Sequence, residues 1–174
     1  MIIKVETLTS MNEFKGIDEG MLSMKLEAME NLIRSYSNNN FQLREFRFMA
    51  GSSGEGVHGS SPYIKKGDTV QITQSVNAGL YVVIGVYLGY TQLNRSLFES
   101  HDNLVTKVYY PPDVQQGVIN LLLWEKENRQ KVGVKSETLS RHSVTYYDQD
   151  TNNQVMGYPV SLLGFLKPYM KARF

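Results

Sequence analysis

Three histidines, one spaced acidic run and one glycine-rich stretch are the residues from which chemistry could be built. His58, His101 and His142 show neither the H-E-x-x-H nor the H-x3-H spacing that places two imidazoles on one metal. Asp148, Asp150 and Asn152 open like a calcium loop. However, Asn153 stands where that loop needs Gly, and Pro159 stands where it needs a bidentate Glu. A Ser143–His142–Asp148 triad fails on geometry, because neighbouring residues of an extended strand point to opposite faces. The stretch Ala50–Ser61 reads AGSSGEGVHGSS. It lacks the Gly-Lys-Ser/Thr ending of a phosphate loop, and Glu55 sits where a phosphate would be repelled. The chain contains no cysteine, which removes disulfides, zinc–thiolate sites and thiol catalysis together and suits a reducing cytoplasm. No enzymatic activity, metal or cofactor is expected.

The elements that must position these residues follow from periodicity. Leu22, Leu26, Met29, Ile33 and Tyr36 recur at steps of four and three, which predicts a helix over 18–36 capped by Asp18. Ser37-Asn38-Asn39-Asn40 stops it, and a helical turn capped by Ser10 is expected over 10–15. From Phe41 the period changes to two. Strands are expected from Phe41, over Thr69–Ser75, over Leu80–Leu88 and over Leu104–Tyr110, with turns at Lys66-Gly67-Asp68 and at Val76-Asn77-Ala78-Gly79. Pro111-Pro112-Asp113 starts a second long helix, over 113–131, with Val114, Val118, Leu121, Leu122 and Glu125 inward and Trp124 at the flank. Each helix carries a narrow apolar stripe, so the two are expected to pack together. The glycine-rich stretch reads as a mobile hairpin tip or an arm ordered by a neighbouring chain, with Gly51, Gly54, Gly56 and Gly59 as a flexible inter-subunit loop.

The 174 residues carry 18 basic and 17 acidic side chains, and 41% of them are apolar. A net charge of +1 gives no basic face for tight nucleic-acid binding. Tyr81, Tyr87, Tyr90, Tyr109 and Tyr110 therefore read as packing aromatics rather than base-stacking ones. The first residues lack a secretory signal, and no window is apolar enough to span a membrane.

The last segment reads SETLSRHSVTYYDQDTNNQVMGYPVSLLGFLKPYMKARF. Pro159 can open a helix in which Leu162, Leu163, Phe165, Leu166 and Tyr169 wrap most of the circumference. A helix this short is marginal in water, so its apolar surface must be covered, by its own subunit or by a partner. The order SET-L-S-x-x-SVTY, a polar hinge, then LLxFLKPYxKxRF resembles the C-terminus of the head–tail connector (adaptor) proteins of tailed bacteriophages of Gram-positive hosts. The segments RSYSNNNFQLREF and INLLLWEKENRQKVGVKSETLS are similar to that family's helices and their exit into the arm.

The resemblance implies a non-enzymatic virion protein of the neck, between capsid and tail, assembled in the host cytoplasm. A ring of twelve copies would lie beneath the portal protein, extend the DNA channel for passage of double-stranded DNA, and offer a platform to head-closure, neck or tail proteins. It implies portal docking through Tyr158, Leu162, Leu163, Phe165, Leu166, Lys167, Tyr169, Lys171 and Arg173. A head-closure or tail-terminator ring protein and, more distantly, a nucleic-acid-binding β-barrel remain as alternatives. The expected fold is α+β. It comprises a small bundle of two long packed helices (1–40 and 111–135), an inserted antiparallel β subdomain (41–110) and an extended docking arm (136–174) that ends in a short helix.

Overall fold

A computed structural model of the chain describes residues 1–128, 136–139, 142–145 and 154–172. The chain forms two compact units. The first takes residues 1–34 and 40–110, and the second takes residues 35–39 with the chain from Pro111 onward.

The first unit opens with a short helix α1 (Val5–Thr9) and a 3-10 turn (Asn12–Phe14), so Ser10 ends a helix rather than beginning one. Helix α2 (Glu19–Ser37) follows. Asp18 caps it as expected, its Oδ1 accepting the Met21 N–H at 2.8 Å. Leu22, Leu26, Met29 and Ile33 are all buried along one stripe. Near the end of the helix, Arg34 and Glu30 are buried together. Arg34 donates to Asn40 O at 2.7 Å and to Gln71 Oε1 at 2.6 Å, while the Tyr110 hydroxyl donates to Glu30 at 2.9 Å. Burying these charges is tolerable because their polar atoms are hydrogen-bonded.

Four antiparallel strands complete the unit: β1 (Gln42–His58), β2 (Thr69–Thr73), β3 (Gly79–Tyr87) and β4 (Tyr90–Val108). β1 pairs along the whole of β4, with register shifts between Leu43 and Arg47 and again at Ser52, Gly54 and Gly56. On its other side β4 pairs with β2 through Leu104–Val108 and with β3 through Tyr90–Leu93. β2 and β3 also pair with each other. The sheet thus folds back on itself around Val57, Ile64, Val70, Ile72, Leu93 and Val105. Bulges bend and twist the long strands, which is what such closure requires.

Three expectations change here. The two long helices do not form a packed bundle. α2 belongs with the sheet, whereas α3 (Pro112–Asn128) belongs to the second unit, where its stripe is covered by the chain's own C-terminal segment. Two equal stripes in a sequence do not say which partner covers each. The glycine-rich stretch is not a loop: its residues up to His58 are the second half of β1. Strand β4 begins at Tyr90, well before the expected Leu104, because long-range pairing with β1 and β3 supports a run too polar to announce itself.

In the second unit, α3 buries Val114, Gly117, Val118, Leu121, Leu122 and Glu125. Two small hairpins follow, β5 (Ser136–Leu139) with β6 (His142–Thr145) and β7 (Gln154–Val155) with β8 (Tyr158–Pro159). A 3-10 helix over Val160–Tyr169 is the last described element. The arm is therefore paired and folded where it is described, not extended. The run of Asp148, Asp150 and Asn152, the expected helix end at Lys131, and Arg173 lie outside the described residues. Among the described residues no helix is long and apolar enough to cross a membrane.

Candidate functional site: the C-terminal segment on helix α3

The C-terminal segment is built on three contacts to α3. At the helix start, Asp113 accepts the Tyr169 hydroxyl, at 2.9 Å on Oδ1 and 2.7 Å on Oδ2. In the middle, Gly117 leaves room for the Phe165 ring; a β-carbon there would lie 2.5 Å from three ring carbons. Toward the far end, the Tyr158 hydroxyl donates to buried Glu125 at 2.5 Å, and the Tyr158 ring sits 5.7 Å from that of Trp124, tilted at 53°. These contacts fix the segment at both ends and in the middle.

The 3-10 geometry decides which side chains line up along the segment. With three residues per turn, positions three apart superpose. Val160, Leu163, Leu166 and Tyr169 therefore form one row; Leu163 and Leu166 are fully buried in it. Pro168 lies inside the same helix. After Tyr169 the chain is held by the last residue of α2 and the two that follow it: Asn39 donates to Tyr169 O at 2.9 Å, Lys171 N–H to Ser37 O at 2.9 Å, and Asn38 to Ala172 O at 2.8 Å.

The anticipated docking residues consequently divide into two groups. Tyr158, Leu163 and Leu166 are buried in the chain itself, and Leu162, Phe165 and Tyr169 are half-buried. Lys167 and Lys171 face solvent, beside exposed Val160 and Met170. Sequence reasoning missed Asp113, Gly117 and Glu125 as the seat of this segment. Gly117, a glycine in the interior of a helical pattern, was the one legible sign of a close approach.

Of the glycines assigned to an inter-subunit loop, Gly51, Gly54 and Gly56 lie within strand β1 instead. Gly54 lies at a register shift with φ of 58°, and Gly56 faces Thr91 and Tyr90 so closely that a β-carbon would fall 2.4 Å from Thr91 O. Gly51 lies within β1 at the register shift between Ala50 and Ser52, and Gly59 follows the strand's end, against the Phe48 ring.

Of the histidines, His58 Nε2 lies 2.7 Å from Ser53 Oγ, a contact that the sequence did not suggest. Both residues are exposed on β1, without the burial that tunes a catalytic base. Among the described residues no group of three or more His, Cys, Asp or Glu side chains could hold a metal ion. No protein-family model matches the chain, and no curated protein matches it.

Proposed function

We propose that the chain is a head–tail connector of a tailed bacteriophage, a structural protein of the virion neck that docks on the portal through its C-terminal unit. The observation that carries this reading is the segment SETLSRHSVTYY followed by LLGFLKPYMKARF, whose order resembles that family's portal-docking arm. Two further features support it. The SETL and HSVT halves pair with each other as strands β5 and β6, and the LLGFLKPY half is a preformed helix with Lys167 outward. Interior residues Leu163, Leu166 and Tyr158 then shape the docking head. Val160, Leu162, Lys167, Met170 and Lys171 supply the contact, with Phe165 at the boundary. A preformed head loses less entropy on docking than a free arm would.

The test is co-sedimentation with the portal protein of the same phage. Met170→Asp combined with Lys167→Glu should leave the circular dichroism spectrum unchanged and reduce portal binding at least tenfold. Undiminished binding by that variant would sink the reading. A head-closure or tail-terminator role is the second reading, favoured by the seating of the C-terminal helix on the chain's own α3. Attachment to connector-bearing heads but not to bare portal would select it.

A further inference from the structure

Two tyrosine rings lie down on the sheet beside the β3–β4 turn, each across a glycine. In strands a side chain ordinarily stands off the sheet, which would carry a tyrosine hydroxyl away from the backbone. Instead, the far end of the Tyr87 ring covers Gly85: a β-carbon there would fall 2.9 Å from Cε2 and 3.0 Å from the hydroxyl oxygen. The far end of Tyr90 covers Gly56 in the same way, its Cζ and hydroxyl oxygen both 2.6 Å from such a carbon. Gln92 pairs with Gly85 on one side and with Gly56 on the other, and Tyr87 pairs with Tyr90. Directly opposed residues share a face of the sheet, so the two rings, their glycines and Gln92 occupy one face across three strands. The ring centroids are 6.4 Å apart, and Tyr87 is 59% exposed.

Polar groups with bonding capacity to spare border the rings. Gln92 Nε2 donates to Glu55 Oε2 at 3.1 Å, which leaves the amide a second N–H and its oxygen. The His58 ring lies 5.8 Å from that of Tyr90, and its Nε2 is engaged with Ser53 Oγ at 2.7 Å. Ser53, Glu55 and His58 are exposed and Gln92 is half-buried. Among these side chains Glu55 carries the one formal charge, and none is Lys or Arg. Aromatic platforms for single-stranded nucleic acid come with a basic groove; a phosphodiester would meet repulsion from Glu55. A purely apolar partner would cover Gln92 and Glu55 without replacing their bonds to water, which is costly. A sugar ring meets both demands. Its C–H face suits the negative face of an aromatic ring, and its edge carries hydroxyls that donate and accept.

We infer that this face binds a neutral oligosaccharide, with sugar rings stacked on Tyr87 and Tyr90 and hydroxyls bonded by Gln92, Glu55 and His58. The same carboxylate that repels phosphate also selects against acidic sugars. The platform is set before the ligand arrives. Gly85 and Gly56 seat the rings, the Gly89 N–H donates to Ser60 Oγ at 3.3 Å, and Thr91 Oγ1 donates to Gly59 O at 2.7 Å, which ties the start of β4 to the chain after β1. Little order therefore remains to be lost on binding. The inference stands apart from the connector reading, which rests on the C-terminal unit and on portal binding.

Amide NMR of the full chain, titrated with neutral tetrasaccharides of glucose, galactose, mannose and N-acetylglucosamine and separately with oligothymidylate, tests it. At least one of the sugars should give saturable shifts centred on Gly56, Gly85 and Gln92, and oligothymidylate should give none. Tyr87→Ala, at an exposed position, should keep a folded spectrum and weaken sugar binding at least tenfold, whereas Tyr87→Phe keeps the stacking ring and should retain most of the affinity. Gly85→Ala should weaken binding severalfold, because the added carbon tips the Tyr87 ring off the sheet. Failure of all four sugars to saturate would overturn the inference. So would shifts centred away from this face, or undiminished binding by Tyr87→Ala. Saturation by oligothymidylate at comparable strength would make the platform a nucleic-acid site and overturn it equally.

Discussion

Gly117 of α3 and Phe165 of the C-terminal helix are in contact with no space between them for a methyl group: three carbons of the ring lie 2.5 Å from where a β-carbon would be placed. Alanine is the better helix former by ~1 kcal/mol, so propensity alone predicts that Gly117→Ala stabilises. Overlap with the ring opposes this and costs about 1–3 kcal/mol. The expected net outcome is a loss of about 1 kcal/mol in urea unfolding. Gly117→Ala combined with Phe165→Leu should recover much of that loss, because the ring edge is then gone. A gain in stability for the single variant would show that Phe165 moves aside freely.

Asn77 supports the Phe98 backbone from both sides. Asn77→Ala removes these bonds and the links to Ser52 and Asn103, with an expected cost of about 2–3 kcal/mol given the buried polar atoms left behind. The site-specific readout is amide exchange at Phe98, whose N–H donates to the Asn77 side chain. Exchange there should speed up more than at Val105 in the core of the same strand. Equal acceleration at both positions would mean that Asn77 contributes only to global stability.

The turn holding Asn77 was legible; the role of the residue was not. A short Val-Asn-Ala-Gly run reads as a place for positive φ, yet the positive φ falls at Gln74 and Asn77 is buried as a hydrogen-bonding hub. Sequence periodicity located α2, its Asp18 cap, β2, β3 and the start of α3, because each carries its own apolar pattern. It failed for Ala50–His58 and for Tyr90–Asn103, strands whose stability comes from each other and from β3 rather than from their own composition. It also failed for the pairing of the helices. The stripe of α3 matches α2 as well as it matches Leu163 and Leu166, and only the close approach at Gly117 separates the two.

The Tyr110 phenol is pushed well above its ordinary value, first by burial and then by the neighbouring Glu30 carboxylate, with Arg34 opposing. Its folded pKa is raised, so the folded state keeps a proton that the unfolded chain loses above the usual tyrosine pKa of 10.0. The stabilisation is therefore whole below that pH and declines as pH rises beyond it. Urea midpoints measured from neutral pH into the tyrosine range should fall on the alkaline side. In Tyr110→Phe the alkaline fall should be shallower. At neutral pH that variant should be less stable by about 1–3 kcal/mol, since Glu30 loses a donor. An alkaline limb of the same steepness in both proteins would assign it to other groups.

Gly51, Gly54 and Gly56 are alike in composition but not in surroundings, and alanine at each should tell strand from loop. At Gly51 the nearest atom to a β-carbon is Ser100 O at 3.4 Å, an ordinary contact. Alanine there should change stability by no more than about 0.5 kcal/mol. At Gly54 the space is open, but φ is +58°; a left-handed conformation costs an alanine roughly 1–2 kcal/mol. At Gly56 a β-carbon would fall 2.4 Å from Thr91 O, a backbone atom that cannot rotate away, and 2.6 Å from the Tyr90 ring. Relief there means parting β1 from β4 near the Gly56–Gln92 pair, at a cost of about 2–3 kcal/mol. Denaturant midpoints should therefore fall in the order Gly51→Ala, Gly54→Ala, Gly56→Ala, with faster amide exchange around Thr91 in the last. A flexible loop would tolerate all three alike, so three coincident unfolding curves would count against the paired strand.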